Sequence, residues 1–262
     1  MSCGRTVLIV TTARSGSSLL SGVLHRLGVP MGAERDLHLG RHLNRLGCFE
    51  DQGFQRVSLN ILLEADLLLD LSRRLEIDER RLAEVVGRYR PAVADFVRQR
   101  QRPIWGFKDP GLVYSLPYLH DLFPNPRYIH LERNHGDTAR SLYRTFRPGG
   151  WFPEMREKFP LFSPTNRFRL LLKGARLLVA RRQEYVSEAF FEEVIRSGHE
   201  RARAFLDGRE FLHLPLDELI RDSRQTVDRL CRFLEIEPEP RTVVEALAFV
   251  HPDMLHSKEG GE

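Results

Sequence analysis

The sequence has little cysteine, little lysine and no long hydrophobic run. Its three cysteines, Cys3, Cys48 and Cys231, lie far apart and lack the spacing of a zinc site or a disulfide framework. No metal is therefore expected, and a reducing compartment is favoured. No apolar stretch approaches the roughly 18 residues that a membrane helix needs, and the amino terminus lacks a signal-peptide pattern. These absences predict a cytoplasmic protein without a membrane span.

The positive charge of the chain is carried almost entirely by arginine, since lysine occurs only at positions 108, 158, 173 and 258. The formal net charge is +4 and the pI is about 9.1. Because this excess is small and spread along the chain, it argues against nucleic acid as a partner. A small polyanionic ligand fits the charge better.

Short apolar strands alternate with helical segments along the sequence. Strands are expected at residues 6–12, 104–107, 127–132 and 210–215. Helices are expected up to residue 27, over 54–71, 77–101, 112–123, 135–144 and 223–234, and over 165–206 with a break near residues 197–198. This alternation is typical of an α/β fold with a central parallel sheet between two layers of helices. A single domain over residues 1–262 is the simplest organisation for this length.

A turn of small residues joins the first predicted strand and helix, in the stretch VLIVTTARSGSSLLSGVLHRLG. Unpaired backbone N–H groups and the helix dipole make such a turn an anion site. Gly16 permits close approach, Ser17 and Ser18 add hydroxyl donors, and Arg14 adds a guanidinium suited to phosphate oxygens. The turn lacks the Gly-Lys-Ser/Thr ending of nucleoside triphosphatases, which counts against a nucleotide-dependent phosphotransferase. An ordinary serine-capped helix is the alternative.

Three basic residues, Arg14, Lys108 and Arg133, each fall at or just past the end of a predicted strand. In open parallel sheets, ligands bind beyond the carboxyl ends of the strands. We therefore expect these three side chains to lie at one edge of the sheet.

The turn TTARSGSSLL resembles the 5′-phosphosulfate loop of sulfotransferases that use 3′-phosphoadenosine 5′-phosphosulfate (PAPS). In RYIHLERNHGDTARS, Arg133 and Ser141 resemble the arginine and serine that hold the 3′-phosphate in this family. FKDPG, GCFED and LPLDELIRDSRQTVDRLCRFLEI are similar to three further family segments, the first of them in tyrosylprotein sulfotransferases. The resemblance implies a P-loop NTPase-like fold that binds PAPS through Arg14, Ser15, Gly16, Ser17, Ser18, Arg133 and Ser141.

The chain also departs from the family pattern. Leu216 stands where the closing motif has tyrosine, and His135 where a proline commonly follows the 3′-phosphate arginine. The Arg-Lys-Gly loop of the cytosolic enzymes is absent. These departures leave the adenosine end of the site without assigned residues.

The resemblance implies catalytic roles for Arg14 at the 5′-phosphate and for Lys108 at the bridging or sulfuryl oxygens. Asp109, next to Lys108, is expected to order the turn through local backbone hydrogen bonds. A proton acceptor must activate the acceptor hydroxyl. The histidine that serves as base in the cytosolic enzymes is replaced here by Pro110, so the base must come from elsewhere.

Glu34 is the first candidate for this base, because it occupies the place of the catalytic glutamate of the tyrosylprotein branch. Glu50 in GCFED is its rival, and His38 and His42 are third choices.

The acceptor is expected to carry a hydroxyl or an amine on a small molecule, a saccharide or a lipid-linked group. Helical segments at about 54–101 and 150–207 would build its cleft. Trp105 and Phe107 are expected in the core, whereas Trp151 is a candidate for acceptor contact. The sequence indicates no oligomeric state. A non-catalytic nucleotide-binding protein of the same fold is a further alternative.

Overall fold

A computed structural model describes residues 4–32, 47–68, 77–146, 156–179 and 187–250, apart from the side chains of residues 146 and 176–179. The strands are β1 Arg5–Val10, β2 Ile104–Lys108, β3 Pro126–Glu132 and β4 Phe211–Pro215. The α-helices are α1 Ser17–Arg26, α2 Gln52–Glu64, α3 Glu79–Arg100, α4 Leu112–Ser115, α5 His135–Phe146, α6 Pro164–Val179, α7 Glu188–Leu206, α8 Leu216–Arg221, α9 Ser223–Leu234 and α10 Pro240–Phe249. None of the helices in the described ranges is long and apolar enough to cross a membrane.

The four strands form one parallel sheet, as the sequence predicts, and the structure gives their order as β2-β1-β3-β4. Strand β1 is central, with β2 on one side and β3 on the other. The chain therefore leaves β1 at a point where the strand order reverses, which is where open α/β sheets bind ligands. The small-residue turn after β1 occupies this position.

Alternate residues of β1 point to two separate cores. Val7 and Ile9 pack with residues of α1, α9 and α10, whereas Leu8 and Val10 pack with residues of α2, α3 and α7. All four side chains are fully buried. A strand covered on both faces must be continuously apolar, which explains the sequence pattern. The predicted α/β fold with helices on both faces of the sheet is confirmed.

Strand β2 places its aromatic residues in the core, as expected. Trp105 stacks on Phe107 with ring centroids 5.9 Å apart, and Phe107 lies 4.5 Å from Phe54 of α2. Both β2 rings are buried. They stabilise the packing of α2 and α3 on the sheet and offer no stacking surface to a ligand.

Two predicted helices are shorter than expected. The helix over 112–123 is a single α-helical turn, α4, followed by two 3₁₀ turns, Leu116–Tyr118 and His120–Leu122. Pro117 explains this difference, because proline lacks the N–H that would continue the helix and clashes with the preceding turn. The helix over 54–71 ends at Glu64, and Asp66 then adopts a left-handed conformation with φ of 60°.

The predicted break near residues 197–198 is wrong, because α7 runs through it without interruption. The described helical residues that precede α7 in the predicted segment form a separate helix, α6. Gly198 serves a packing contact instead: a Cβ atom on it would lie 2.7 Å from Cγ2 of Thr12, in the turn after β1. Helices α8 and α10 were not predicted, although Pro240 at the start of α10 is a typical first helical residue.

Candidate functional site

The turn after β1 has a left-handed backbone at two positions. The φ angle is 63° at Arg14 and 83° at Gly16. Within the described ranges, no side chain caps α1, and the backbone N–H groups of residues 15–18 have no hydrogen-bond acceptor. A Cβ atom on Gly16 would lie 2.5 Å from Cδ2 of Leu216, so glycine is required here. Free N–H groups at a helix start are suited to an anion.

The hydroxyl groups of Thr11, Ser15 and Ser18 bind the protein itself. Ser15 is fully buried, and its Oγ donates to the Thr12 carbonyl at 2.8 Å. Thr11 Oγ1 lies 2.7 Å from both Ser15 Oγ and the Leu131 carbonyl of β3. Ser18 Oγ donates to the carbonyl of Cys48 at 3.0 Å. These hydroxyls fix the shape of the turn, so Ser15 has only its backbone N–H to offer an anion.

The structure brings Arg14 together with Arg133 and Ser141. Arg14 Nε donates to Ser141 Oγ at 3.1 Å, and Arg133 Nη1 lies 3.4 Å from the Arg14 carbonyl. Burial lowers the pKa of Arg133; the carboxylate of Asp137 counteracts this effect, and the charge of Arg14 adds to it. Among the described residues neither arginine forms a salt bridge with a carboxylate. Two arginines that meet in one site, and that form no ion pair with a described carboxylate, make a site for a polyanion.

Lys108, the last residue of β2, forms an ion pair with Glu50. Its side chain is only 4% exposed, and its Nζ donates to Glu50 Oε1 at 2.7 Å. Lys158 Nζ lies 3.8 Å from the other carboxylate oxygen, Oε2. Gln55 Nε2 donates a hydrogen bond to the same oxygen. Burial alone would raise the pKa of Glu50, but the nearby cations, chiefly Lys108 and Lys158, hold it below its usual value. Glu50 is therefore ionised at neutral pH.

Residues 49–51 of the GCFED segment have three different environments. Phe49 has φ of 52° and is buried in the core around α1. Glu50 points to Lys108. Asp51 is the N-cap of α2, where it accepts from the Gly53 N–H at 2.8 Å, and it binds Arg100 through both carboxylate oxygens. Only the middle residue of the three faces the candidate site.

Asp109 orders the turn after β2, as predicted. Its Oδ1 accepts from the Gly111 N–H at 2.8 Å and from Ser58 Oγ at 2.6 Å. Burial, together with the charge of Glu50, raises the pKa of Asp109 to about 6. The local hydrogen bonds hold the backbone that follows Lys108.

A buried histidine pair lies behind the turn, and sequence reasoning missed it. His130 of β3 places its Nε2 3.0 Å from Nδ1 of His199 on α7, and His199 Nε2 lies 3.3 Å from Thr12 Oγ1. Burial lowers the pKa of both imidazoles to about 4, so both are neutral at pH 7. A histidine inside the apolar strand RYIHLE was a signal for His130. No comparable signal existed for His199, because its position depends on how α7 packs.

Glu132, the last residue of β3, lies near His130 of this pair. Its carboxylate accepts a hydrogen bond from Arg203 at 2.6 Å. It also lies 3.1 Å from Nε2 of His135 and 3.1 Å from Nε2 of His213. Burial alone would raise the pKa of Glu132, but the hydrogen bonds from Arg203 and His213 lower it to about 2. Donor atoms of His130, Glu132 and His213 lie within 4.8 Å of one another, a spacing that could hold a metal ion. Glu132 already has cationic and imidazole partners in this structure.

Several predicted residues lie outside the described ranges: Glu34, His38, His42 and Trp151. The choice of Glu34 as base therefore stays a prediction. Among the remaining predicted residues, Arg14, Arg133 and Ser141 meet beside the turn. Lys108 and Glu50 meet each other at the neighbouring strand end.

A family model described as the sulfotransferase family matches residues 6–240. The chain is similar to the sulfotransferase domain from the Synechococcus PCC 7002 olefin synthase, with 21% identity and a TM-score of 0.50 over 98% of this chain and 84% of that one. At this identity the likeness shows the fold alone.

Two further solved structures match over most of their length. The sulfotransferase domain from the curacin biosynthetic pathway is 18% identical, with a TM-score of 0.43, over 96% of this chain and 79% of that one. A sulfotransferase from Mycobacterium avium is 14% identical, with a TM-score of 0.43, over 99% and 70%. A comparison with curated proteins found no match.

Proposed function

Because this chain belongs to the sulfotransferase family, we propose that it transfers a sulfuryl group from PAPS to a hydroxyl or amine of an acceptor. The observation that carries the proposal is the meeting of Arg14, Arg133 and Ser141 beside a turn of free backbone N–H groups. This arrangement offers donors to two anionic groups of one ligand. A nucleotide with both a 5′- and a 3′-phosphate has that charge pattern.

The donor would be held by two sets of groups. Arg14 and the backbone N–H groups of residues 15–18, at the start of α1, would bind the 5′-phosphate. Arg133 and Ser141 would bind the 3′-phosphate, because Arg133 follows β3 and Ser141 lies on α5, which begins two residues later. The partly buried Arg133 guanidinium favours an anion over water.

In the transfer, the acceptor oxygen or nitrogen attacks sulfur in line, a new bond to sulfur forms, and the bond between sulfur and the phosphate oxygen of the nucleotide breaks. The departing 3′-phosphoadenosine 5′-phosphate (PAP) gains negative charge as this bond breaks. Lys108 is the cation proposed for the bridging or sulfuryl oxygens, since a cation fixed beforehand is most effective in a site that excludes water. The buried ion pair with Glu50 fixes its ammonium group.

The contacts of Glu50 bear on the choice of base. A carboxylate whose pKa lies below its usual value is a weak proton acceptor. Its partners favour Glu50 as the group that orients Lys108 rather than as the base. Glu34 is therefore retained as the proposed base, and Glu34→Gln is expected to lower turnover by about 10²- to 10⁴-fold.

The acceptor is proposed to be a small molecule, a saccharide or a lipid-linked group in the cytoplasm, bound in a cleft built by helices α2, α3, α6 and α7. Two other functions predict different behaviour. A phosphotransferase would bind magnesium nucleotides, yet the turn has no lysine at the Walker position. A non-catalytic protein of this fold would bind PAP without turnover.

Thermal stabilisation by PAP, ADP and Mg-ATP tests the proposal. A ligand at 100 times its Kd adds about 2.7 kcal/mol to the free energy of unfolding. We expect stabilisation by PAP alone, its loss in Arg133→Ala, and its retention in Arg127→Ala. Arg127 lies at the opposite end of the same strand and binds Glu210 and Glu235. Stabilisation only by Mg-ATP would refute the choice of donor, and PAPS turnover separates an enzyme from a binding protein.

A further inference from the structure

Thr12 joins helix α7 to the turn that follows β1. Its side chain is largely buried, with Oγ1 3.3 Å from Nε2 of His199 and Cγ2 packed against Gly198. Its carbonyl accepts a hydrogen bond from Ser15 Oγ. The side chain of Thr12 is thus anchored to α7, while its backbone is bonded to the middle of the turn.

His199 is itself held in place from the other side. His130 of β3 lies 3.0 Å from Nδ1 of His199, and each imidazole is only 1% exposed. A neutral imidazole has one N–H and one lone pair, so His199 can donate at one nitrogen and accept at the other. A continuous path of polar contacts therefore runs from the sheet through His130, His199 and Thr12 to Ser15.

The turn needs such support because the backbone conformation of Arg14 is energetically unfavourable. Arg14 has φ of 63°, a conformation that costs energy for residues other than glycine and persists only where surrounding contacts enforce it. The side chains of Thr11 and Thr12, before Arg14, and of Ser15, after it, form hydrogen bonds on either side of this residue. Among these three, Thr12 alone is bonded to α7.

We propose that His199 is a positioning residue for the sulfuryl donor. Through Thr12 it fixes the turn whose N–H groups would hold the 5′-phosphate, without touching the ligand. The inference rests on the proposed function, because PAP is its probe. It predicts that the contact between His199 and Thr12 controls the affinity for PAP, whereas the contact between His199 and His130 matters less.

Two substitutions at one position separate these contacts. The amide of glutamine reaches the position of Nε2, so His199→Gln keeps a partner for Thr12. The shorter asparagine reaches only the position of Nδ1, so His199→Asn keeps a partner for His130 and leaves Thr12 without one. We expect isothermal titration with PAP, well below the unfolding temperature, to give a Kd about 3- to 10-fold higher for His199→Asn, because one hydrogen bond is lost. The Kd of His199→Gln should be nearly unchanged.

The same contact can be removed from the other side. Thr12→Val deletes the hydroxyl while keeping the volume, and it should weaken PAP binding as His199→Asn does. Thr12→Ser keeps the hydroxyl and should bind PAP as the wild type does. Because both changes remove one interaction, the double variant His199→Asn/Thr12→Val should bind no more weakly than the weaker single variant.

A purely structural role predicts a different pattern. Both substitutions at 199 would then lower the unfolding temperature while the Kd for PAP stayed the same. Wild-type affinity in His199→Asn and Thr12→Val, or additive losses in the double variant, would overturn the inference. Failure of the wild-type protein to bind PAP would instead refute the proposed function.

Discussion

The ion pair between Lys108 and Glu50 permits a direct energetic test of the site. The two side chains are 4% and 11% exposed, and their charged atoms lie 2.7 Å apart. Glu50→Gln keeps the size of the side chain and one oxygen acceptor but removes its charge. The ammonium of Lys108 would then be buried beside an amide, with Lys158 as a second cation nearby.

The expected loss of stability follows from this burial. Removing one partner of a buried ion pair costs about 3–5 kcal/mol, because the remaining charge is uncompensated. Glu50 is not fully sealed from solvent, so we expect about 3 kcal/mol. For a protein of this size, that corresponds to a decrease of about 6–12 °C in Tm.

Urea unfolding at pH 7 measures this loss in Glu50→Gln, Lys108→Met and the double variant. The double variant leaves neither charge behind, so it should be more stable than the sum of the single losses implies. The exposed pair of Asp95 and Arg98 provides the control: Asp95→Asn should change the free energy of unfolding by less than about 1 kcal/mol. A loss below about 1 kcal/mol in Glu50→Gln, or strict additivity, would refute the reasoning.

Two further predictions concern stability. The free energy of unfolding should fall as the pH decreases from about 6.5 towards 4. In this range His130 and His199 bind protons in the unfolded chain but not in the native structure, where their pKa is about 4. Urea unfolding from pH 4.5 to 7 measures this slope, which His130→Gln should reduce; an equal slope in the variant would contradict the assignment. Gly198→Ala should destabilise the protein by about 1 kcal/mol through overpacking against Thr12. Gly87→Ala on α3, where a Cβ atom meets nothing within 4 Å, should stabilise it by up to about 1 kcal/mol, and thermal unfolding distinguishes the two.

The sheet and its carboxyl edge could be predicted because the signals are local. Each strand is a short run of apolar residues, and this pattern can be recognised without knowing which residues meet in the folded chain. The predicted ends of the strands then place Arg14, Lys108 and Arg133 at strand ends. A parallel sheet places these residues at one edge, and the order found in the structure, with β1 next to β3, brings Arg133 to the backbone of Arg14.

The hydrogen-bond and ion-pair partners of these residues could not be predicted from the sequence in the same way. Lys108 and Glu50 are separated by 58 positions, and their contact depends on where residues 47–51 lie relative to the sheet. The histidine pair depends on the packing of α7 against β3. The interruption at Pro117 was visible in the sequence, whereas the role of Gly198 needed the position of Thr12. Local propensity gives the elements, and tertiary packing decides which polar groups meet.

Residues 49–51 place a constraint on insertions and deletions in this chain. Phe49 belongs to the core on one face of the sheet, Asp51 begins the helix that packs on the other face, and Glu50 between them holds the site lysine. Deleting one residue would shift all three at once and bring a carboxylate into a hydrophobic core. The number of residues between Gly47 and α2 is therefore fixed more strictly than the identity of most residues around it.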